Sequence, residues 1–210
     1  MIRTHYLSAA RTGLALLADD AVAKAWTEAS ALEGFTVGGL ATHLAQQITS
    51  VTAALDADYT GKEVIGLFEH YDGAAWLAAD IDNDYNTGIR DGGETGAQAG
   101  HAAVLAEATA GLETLAQRLP DTPPGTVSGN PRWSYATPLG AFLRTRVLEL
   151  VVHADDLAVS VGIDTPAFDQ ESFEIATRIL ARLAAKRHGQ ANLVRALART
   201  ERAPETISGL

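Results

Sequence analysis

Apolar residues recur at helical spacing along nearly the whole chain, and the strict alternation that marks strands is scarce. A first amphipathic stretch runs from about Thr4 to Ala29, with a break near Asp19-Asp20. The turn Glu33-Gly34-Phe35 leads into a second helix. Thr36 suits its N-cap, and Val37, Leu40, Leu44 and Ile48 form its inward stripe. Position N3 of that helix is Gly39, so the reciprocal acid of a capping box is missing. The helix is expected to end near Ala57, and a third segment runs from about Val64 to Ala79. The stretch from Asp80 to Gly100, rich in Asp, Asn and Gly, reads as a loop that could cover a site. A fourth helix, from about Ala97 to Arg118, is expected to stop before Pro120, with an irregular connection over Pro123 to Pro131. A fifth begins after Thr137-Pro138, with Thr137 capping and proline at the first helical position, and runs to about Val161 before Gly162. Beyond Pro166, helices over about Gln170–His188 and Ala191–Arg199 form a tail. Helices of this length with modest loops predict an all-α fold built as an antiparallel bundle.

The fifth helix breaks its own apolar pattern. In Arg146-Val147-Leu148-Glu149-Leu150-Val151-Val152-His153-Ala154-Asp155-Asp156-Leu157, four polar groups share one face. Glu149 and His153 stand four residues apart, Arg146 three before Glu149, and Asp156 three after His153. Polar groups inside an apolar bundle need partners, and a metal ion is one that a carboxylate and an imidazole can share.

Composition narrows the chemistry. The 210 residues are 47% hydrophobic, enough for a globular chain with a substantial core. With 16 basic and 26 acidic residues the formal charge is −10, which argues against a nucleic-acid or anionic-membrane surface. No apolar run approaches the ~20 residues of a membrane span, and Met1-Ile2-Arg3-Thr4-His5-Tyr6 does not read as a signal peptide. A cytoplasmic protein, monomer or homodimer, is expected. There is no cysteine. Thiolate ligands and a cysteine nucleophile are therefore excluded, and any thiol must come from outside the chain.

Six histidines are available: His5, His43, His70, His101, His153 and His188. His43 lies beside the inward stripe of the second helix, three residues after Leu40. With Glu149 and His153 it would give two imidazoles and one carboxylate, the donor set of catalytic zinc sites that keep a position open. His70 and His101 compete as ligands, and His5 and His188 are expected to be solvated. The residues alone also permit blander readings. Glu149 and His153 could be a helix-surface ion pair, and His43 a hydrogen-bonded core residue. The His-Glu-x-x-His signature of one metalloprotease class is absent.

Two segments carry a resemblance. Phe35-Thr36-Val37-Gly38-Gly39-Leu40-Ala41-Thr42-His43-Leu44 resembles the W-[ST]-V-x-D-L-x-x-H-L element of the mycothiol-dependent maleylpyruvate isomerase family. The run from Arg146 to Leu157 resembles that family's R-x-x-E-x-x-x-H-x-x-D-L element, in the same order along the chain. The likeness covers roughly residues 5–165, and the tail with Arg187-His188-Gly189 resembles the short C-terminal part of such proteins. Phe35 stands in place of Trp and Gly39 in place of Asp, which removes an acid from the first turn of the second helix. The resemblance implies a DinB-like antiparallel four-helix bundle over residues 1–165, with a C-terminal helical extension over 166–210. It implies metal ligands at His43, Glu149 and His153 for Zn2+ or another divalent metal. It also implies mycothiol or a similar low-molecular-weight thiol as cosubstrate, activated for attack on a small-molecule electrophile.

The expected activity is thiol transfer or isomerisation. Arg146 is the candidate for holding a carboxylate of substrate or thiol with its planar fork, or else a structural ion pair with Glu149 or Asp156. Asp156, grouped with Arg146 as a candidate catalytic residue, could accept a hydrogen bond from a ligand imidazole or simply be solvated. Trp133 and Tyr135, just before the fifth helix, could wall a pocket or pack in the core. Two other functions fit the same residues: a non-catalytic metal-binding bundle with a binding or stress-response role, and a metal-dependent hydrolase.

Overall fold

The computed structural model describes residues 2–73 and 84–210. Among them are nine helices and a small three-stranded mixed sheet, so the chain is mostly helical rather than all-α. Helix α1 (Ile2–Leu17) buries Tyr6, Ala9, Ala10, Gly13, Leu16 and Leu17, a stripe at three- and four-residue intervals. The break foreseen near Asp19-Asp20 is a new N-cap: the Asp19 carboxylate accepts from the Ala21 N–H and starts α2 (Asp20–Lys24). Helix α3 (Val37–Asp56) begins where expected, with the Thr36 hydroxyl accepting from the Gly39 N–H at 2.9 Å.

The middle of the chain departs from expectation. Val64, read as helical, pairs in β1 (Glu63–Val64), and the helix that follows is the short α4 (Leu67–Asp72). The rest of that segment, residues 74–79, and the start of the expected loop, 80–83, lie outside the described residues. From Asp84 onward the expected loop is a helix, α5 (Asp84–Ala97). Its four glycines lower helix propensity by about 1 kcal/mol each. Two of them serve tertiary contact instead. A Cβ on Gly93 would stand 2.8 Å from the Gly39 carbonyl oxygen, and one on Gly96 would stand 2.6 Å from Thr42 Cγ2. Close seating on α3 thus overrides the local signal.

Helix α6 (His101–Asp121) runs past Pro120 rather than stopping before it. The Arg3 guanidinium donates to the Leu119, Pro120 and Pro123 carbonyls at 2.9, 3.4 and 3.2 Å, which satisfies the frayed end. The connection after it contains β2 (Val127–Ser128) and β3 (Tyr135–Pro138). Strand β3 is central, parallel to β1 and antiparallel to β2, with Val64 opposite Ala136 and Ser128 opposite Thr137. Thr137 is therefore a strand residue. Its hydroxyl donates to the Ser128 carbonyl rather than capping a helix. Helix α7 (Leu139–Val161) instead starts with the Leu139 N–H donating to the Thr126 carbonyl, and ends at Gly162 in the left-handed region.

Helices α1, α3, α6 and α7 pack around one large core that includes Tyr6, Leu40, Leu44, Ile48, Leu115, Phe142, Leu143 and Leu150. The opposite face of α7 is also covered. Leu148 joins Tyr71 of α4 and Ala176, Ile179 and Leu183 of α8 (Gln170–His188) in a second cluster. Helix α9 (Gln190–Ala198) buries no residue. No helix among the described residues is long and apolar enough to cross a membrane. His5 is not simply solvated: it is half-buried and bonded to Asp169, the N-cap of α8, at 3.2 Å. His188 likewise engages the Ser208 carbonyl at 2.8 Å.

Close packing gives the first prediction. A Cβ at Gly38 would meet the Trp26 carbonyl at 2.7 Å and its indole at 2.8 Å, whereas at Gly111 the nearest atoms lie 3.5 Å away. Gly38→Ala is expected to lower unfolding free energy by ~1–3 kcal/mol in urea titration, and Gly111→Ala to raise it by up to ~1 kcal/mol. A second prediction concerns acid. Burial works against the Asp169 charge, but hydrogen bonds from Ser172, Ser8 and His5 outweigh it and bring its pKa down to about 2. Its folded-state pKa lies below the usual 3.8, so its stabilisation is present above about pH 4 and disappears as pH falls through about 2. Asp169→Ala should cost ~1 kcal/mol near neutrality, and the gap from wild type should close over that acid window in melts taken at a series of pH values.

Candidate metal centre

Three turns of α7 place Arg146, Glu149, His153 and Asp156 on the face turned toward α3, which brings His43. Glu149 Oε2 lies 3.1 Å from His153 Nε2 and 3.8 Å from His43 Nε2. The two imidazoles meet edge to face, ring centroids 4.7 Å apart. One ligand atom from each of His43, Glu149 and His153 falls within 4.8 Å of the others. The three side chains are mostly buried, at 12–20% exposure, but not sealed from solvent. An expected helix-surface ion pair would not have recruited a third group from another helix.

The donor set suits a divalent cation. Two imidazole nitrogens and a carboxylate oxygen within 4.8 Å of one another could hold one ion, with a small closing of the group to reach bonds of about 2 Å. The far nitrogen of His153, Nδ1, lies 2.9 Å from Asp156 Oδ2, which turns Nε2 toward Glu149. That is how imidazole ligands are usually oriented in metal sites. His43 Nδ1 is buried and has no hydrogen-bond partner among the described residues.

The electrostatics show what the cluster does with no ion bound. Burial would push the Glu149 carboxyl up, but the hydrogen bond from His153, the nearby His43 ring and the charges of His153 and Arg146 hold it well below the usual range. Burial would lower His153, yet Asp156 and Glu149, by hydrogen bond and by charge, raise it to about 9. Burial lowers His43, which the nearby Glu149 carboxylate only partly offsets. At neutral pH the cluster is thus an ionised carboxylate holding one protonated and one neutral imidazole. A proton on His153 occupies the place a cation would take.

The remaining candidates sort by position. Arg146 makes no ion pair within 4 Å of Glu149 or Asp156; its Nη1 donates to Gln47 Oε1 at 2.6 Å and its Nε to Thr145 Oγ1 at 3.1 Å. His101 is held by the Leu17 carbonyl at 2.7 Å, far from this face. His70 also lies outside the three-ligand group, but near it. Burial and the Arg146 charge lower it to about 4, while the Glu149 charge pulls the other way. His70 Nδ1 lies 2.7 Å from the Tyr135 hydroxyl, and its ring packs on Trp133 with centroids 4.6 Å apart. Trp133 stacks in turn on Tyr135 and touches Phe142 edge-on. They form an aromatic group at the mouth of α7.

Gln47 escaped sequence reading. It is 2% exposed, donates to the His43 carbonyl at 2.8 Å, and links His43 to Arg146. Its signal was its place one turn after His43 on an otherwise apolar face.

The family model for the mycothiol maleylpyruvate isomerase N-terminal domain matches residues 7–158. The chain belongs to this family. The match takes in α1 through most of α7, and hence every member of the three-ligand group, while α8 and α9 lie beyond it. The mycothiol maleylpyruvate isomerase N-terminal domain family takes its name from an isomerase, and the group that could hold a metal sits on the two elements by which the chain resembles it. No curated protein and no solved structure matches the chain.

His153→Ala should abolish binding of a divalent metal while far-ultraviolet circular dichroism stays that of wild type; retained stoichiometric metal would show that His153 is no ligand. Binding should also follow pH. The ion needs a neutral His153, whose pKa with no ion bound is about 9, so apparent affinity should rise about tenfold per pH unit below that value and level off above it. A competition titration with a chromogenic chelator over pH 6–9.5 measures the slope.

Proposed function

We propose that the protein is a divalent-metal-dependent thiol transferase or isomerase. It would take zinc in the His43–Glu149–His153 group and a low-molecular-weight thiol such as mycothiol as cosubstrate, acting on a small electrophile. The observation that carries this reading is the convergence of three donors from two helices, within a chain of the mycothiol maleylpyruvate isomerase family. The proposed scaffold is a DinB-like antiparallel four-helix bundle over residues 1–165, made by α1, α3, α6 and α7, with residues 166–210 as a helical extension.

A divalent ion in this donor set would retain net positive charge and stabilise a thiolate, the form of sulfur that attacks. The chain's residues supply the rest. With no cysteine in the sequence, the sulfur comes from outside. Glu149 is the anionic centre of the cluster, and Asp156 holds His153 in the tautomer that presents Nε2. Arg146, anchored by Gln47 and unpaired with Glu149 or Asp156, is the group for a carboxylate of substrate or thiol. The thiolate would add to an activated alkene, forming a C–S bond while the C=C π pair moves onto the activating group. Rotation and expulsion of the same sulfur return an isomer, whereas protonation of the carbon leaves a thioether.

The test combines metal analysis of the purified protein with turnover of a generic electrophile in the presence and absence of thiol. Bound divalent metal and turnover that requires both metal and thiol are expected. Failure to bind a divalent metal under any loading condition would sink the proposal. Metal binding with thiol-indifferent hydrolysis would point to a metal hydrolase, and metal binding without turnover to a non-catalytic bundle.

A further inference from the structure

The acid missing from the first turn of α3 is present in space. Glu94, on α5, sets its carboxylate against the N-terminus of α3. Its Oε1 accepts from the Thr36 backbone N–H at 2.7 Å, and both oxygens lie within 3.1 Å of the Thr36 hydroxyl. In a capping box the N3 acid reaches back to the N-cap N–H. Here the N3 residue is Gly39, and the N-cap N–H is satisfied by an acid 55 positions further along the chain (94 less 39). A Cβ built on Gly39 would overlap the Glu94 carboxylate. The glycine is therefore the space that this carboxylate occupies. An aspartate at 39 would carry its own carboxylate into the same place.

The clasp bears on the candidate metal ligand. Thr36 is followed after two turns by His43, whose ring faces Phe35 with centroids 6.0 Å apart. Phe35 in turn lies against Gly93, the neighbour of Glu94, where a Cβ would stand 3.1 Å from its ring. Glu94 and Gly93 thus hold both the backbone at the start of α3 and the ring beside His43. The other two candidate ligands sit on α7. We infer that Glu94 is a positioning residue: it completes the capping box of α3 from another helix and so fixes His43 relative to Glu149 and His153.

This inference rests on the metal reading for its functional side and on geometry alone for the clasp, so the experiment reads both. Full-length wild type, Glu94→Ala, Gly39→Asp and the double variant Gly39→Asp/Glu94→Ala are compared by Co2+ affinity, by the cobalt absorption spectrum, and by amide exchange at Thr36. Glu94→Ala should weaken cobalt binding about tenfold, as loss of a ligand-orienting group does, alter the spectrum and speed Thr36 exchange. Gly39→Asp alone should also be impaired, because two carboxylates then compete for one place. The double variant should recover affinity and Thr36 protection to near wild type. A purely structural Glu94 would lower the melting temperature and leave cobalt affinity and spectrum unchanged, and that outcome overturns the inference. So does a double variant no better than Glu94→Ala. If wild type binds no cobalt, the metal reading fails on its own, and Thr36 exchange across the four proteins still decides whether the clasp exists.

Discussion

A single carboxylate between two imidazoles sets the terms for this molecule. Glu149 is held ionised against the cost of burial because His153 donates to it and His43 and Arg146 stand near. Removing any one of those supports would leave a charge in a place where charge is expensive. The consequence runs outward through the fold. Helix α7 must present a polar face to α3 while burying Leu148 against α8 on its other side. Helix α3 must deliver His43 at one height only. The core on α1, α3, α6 and α7 supplies the rigidity that makes both possible.

The supporting groups form layers with different jobs. Asp156 holds His153 at Nδ1 from the outer side. Gln47 joins the backbone of His43 to the guanidinium of Arg146, so the cationic side chain and the third candidate ligand share one brace. His70 on α4, Tyr135 on β3 and Trp133 just before β3 stand beside rather than within the donor group. Strand pairing of β1 with β3 brings those two short segments together from 71 residues apart, counted from Val64 to Tyr135. An all-helical reading has no device for doing so.

Much of this was legible in the sequence wherever one signal dominated. The Thr36 cap, the break at Asp19, the Gly162 stop and the span of α8 each rest on local chemistry that tertiary structure had no reason to oppose. Periodicity put Glu149 and His153 on one face and His43 beside a seam, with His70 and His101 still competing, and the family resemblance implied the set of three that the structure brings together. Helix α5 was not legible, since its glycines argue against a helix locally and are explained only by the closeness of α3. Thr137 misled for the converse reason: a good cap residue before proline was taken up by a strand whose partners lie in other segments. Gln47 and Glu94 were hidden because their roles are defined by groups distant in sequence.

The glycine at position 39 also has an evolutionary meaning. Positions 39 and 94 hold one carboxylate between them, and the space admits only one. A lineage cannot pass the acid from one position to the other in a single substitution without an intermediate that carries two acids or none. Substitutions tolerated at 94 in relatives with an acid at 39 would be poor guides to what this chain tolerates there.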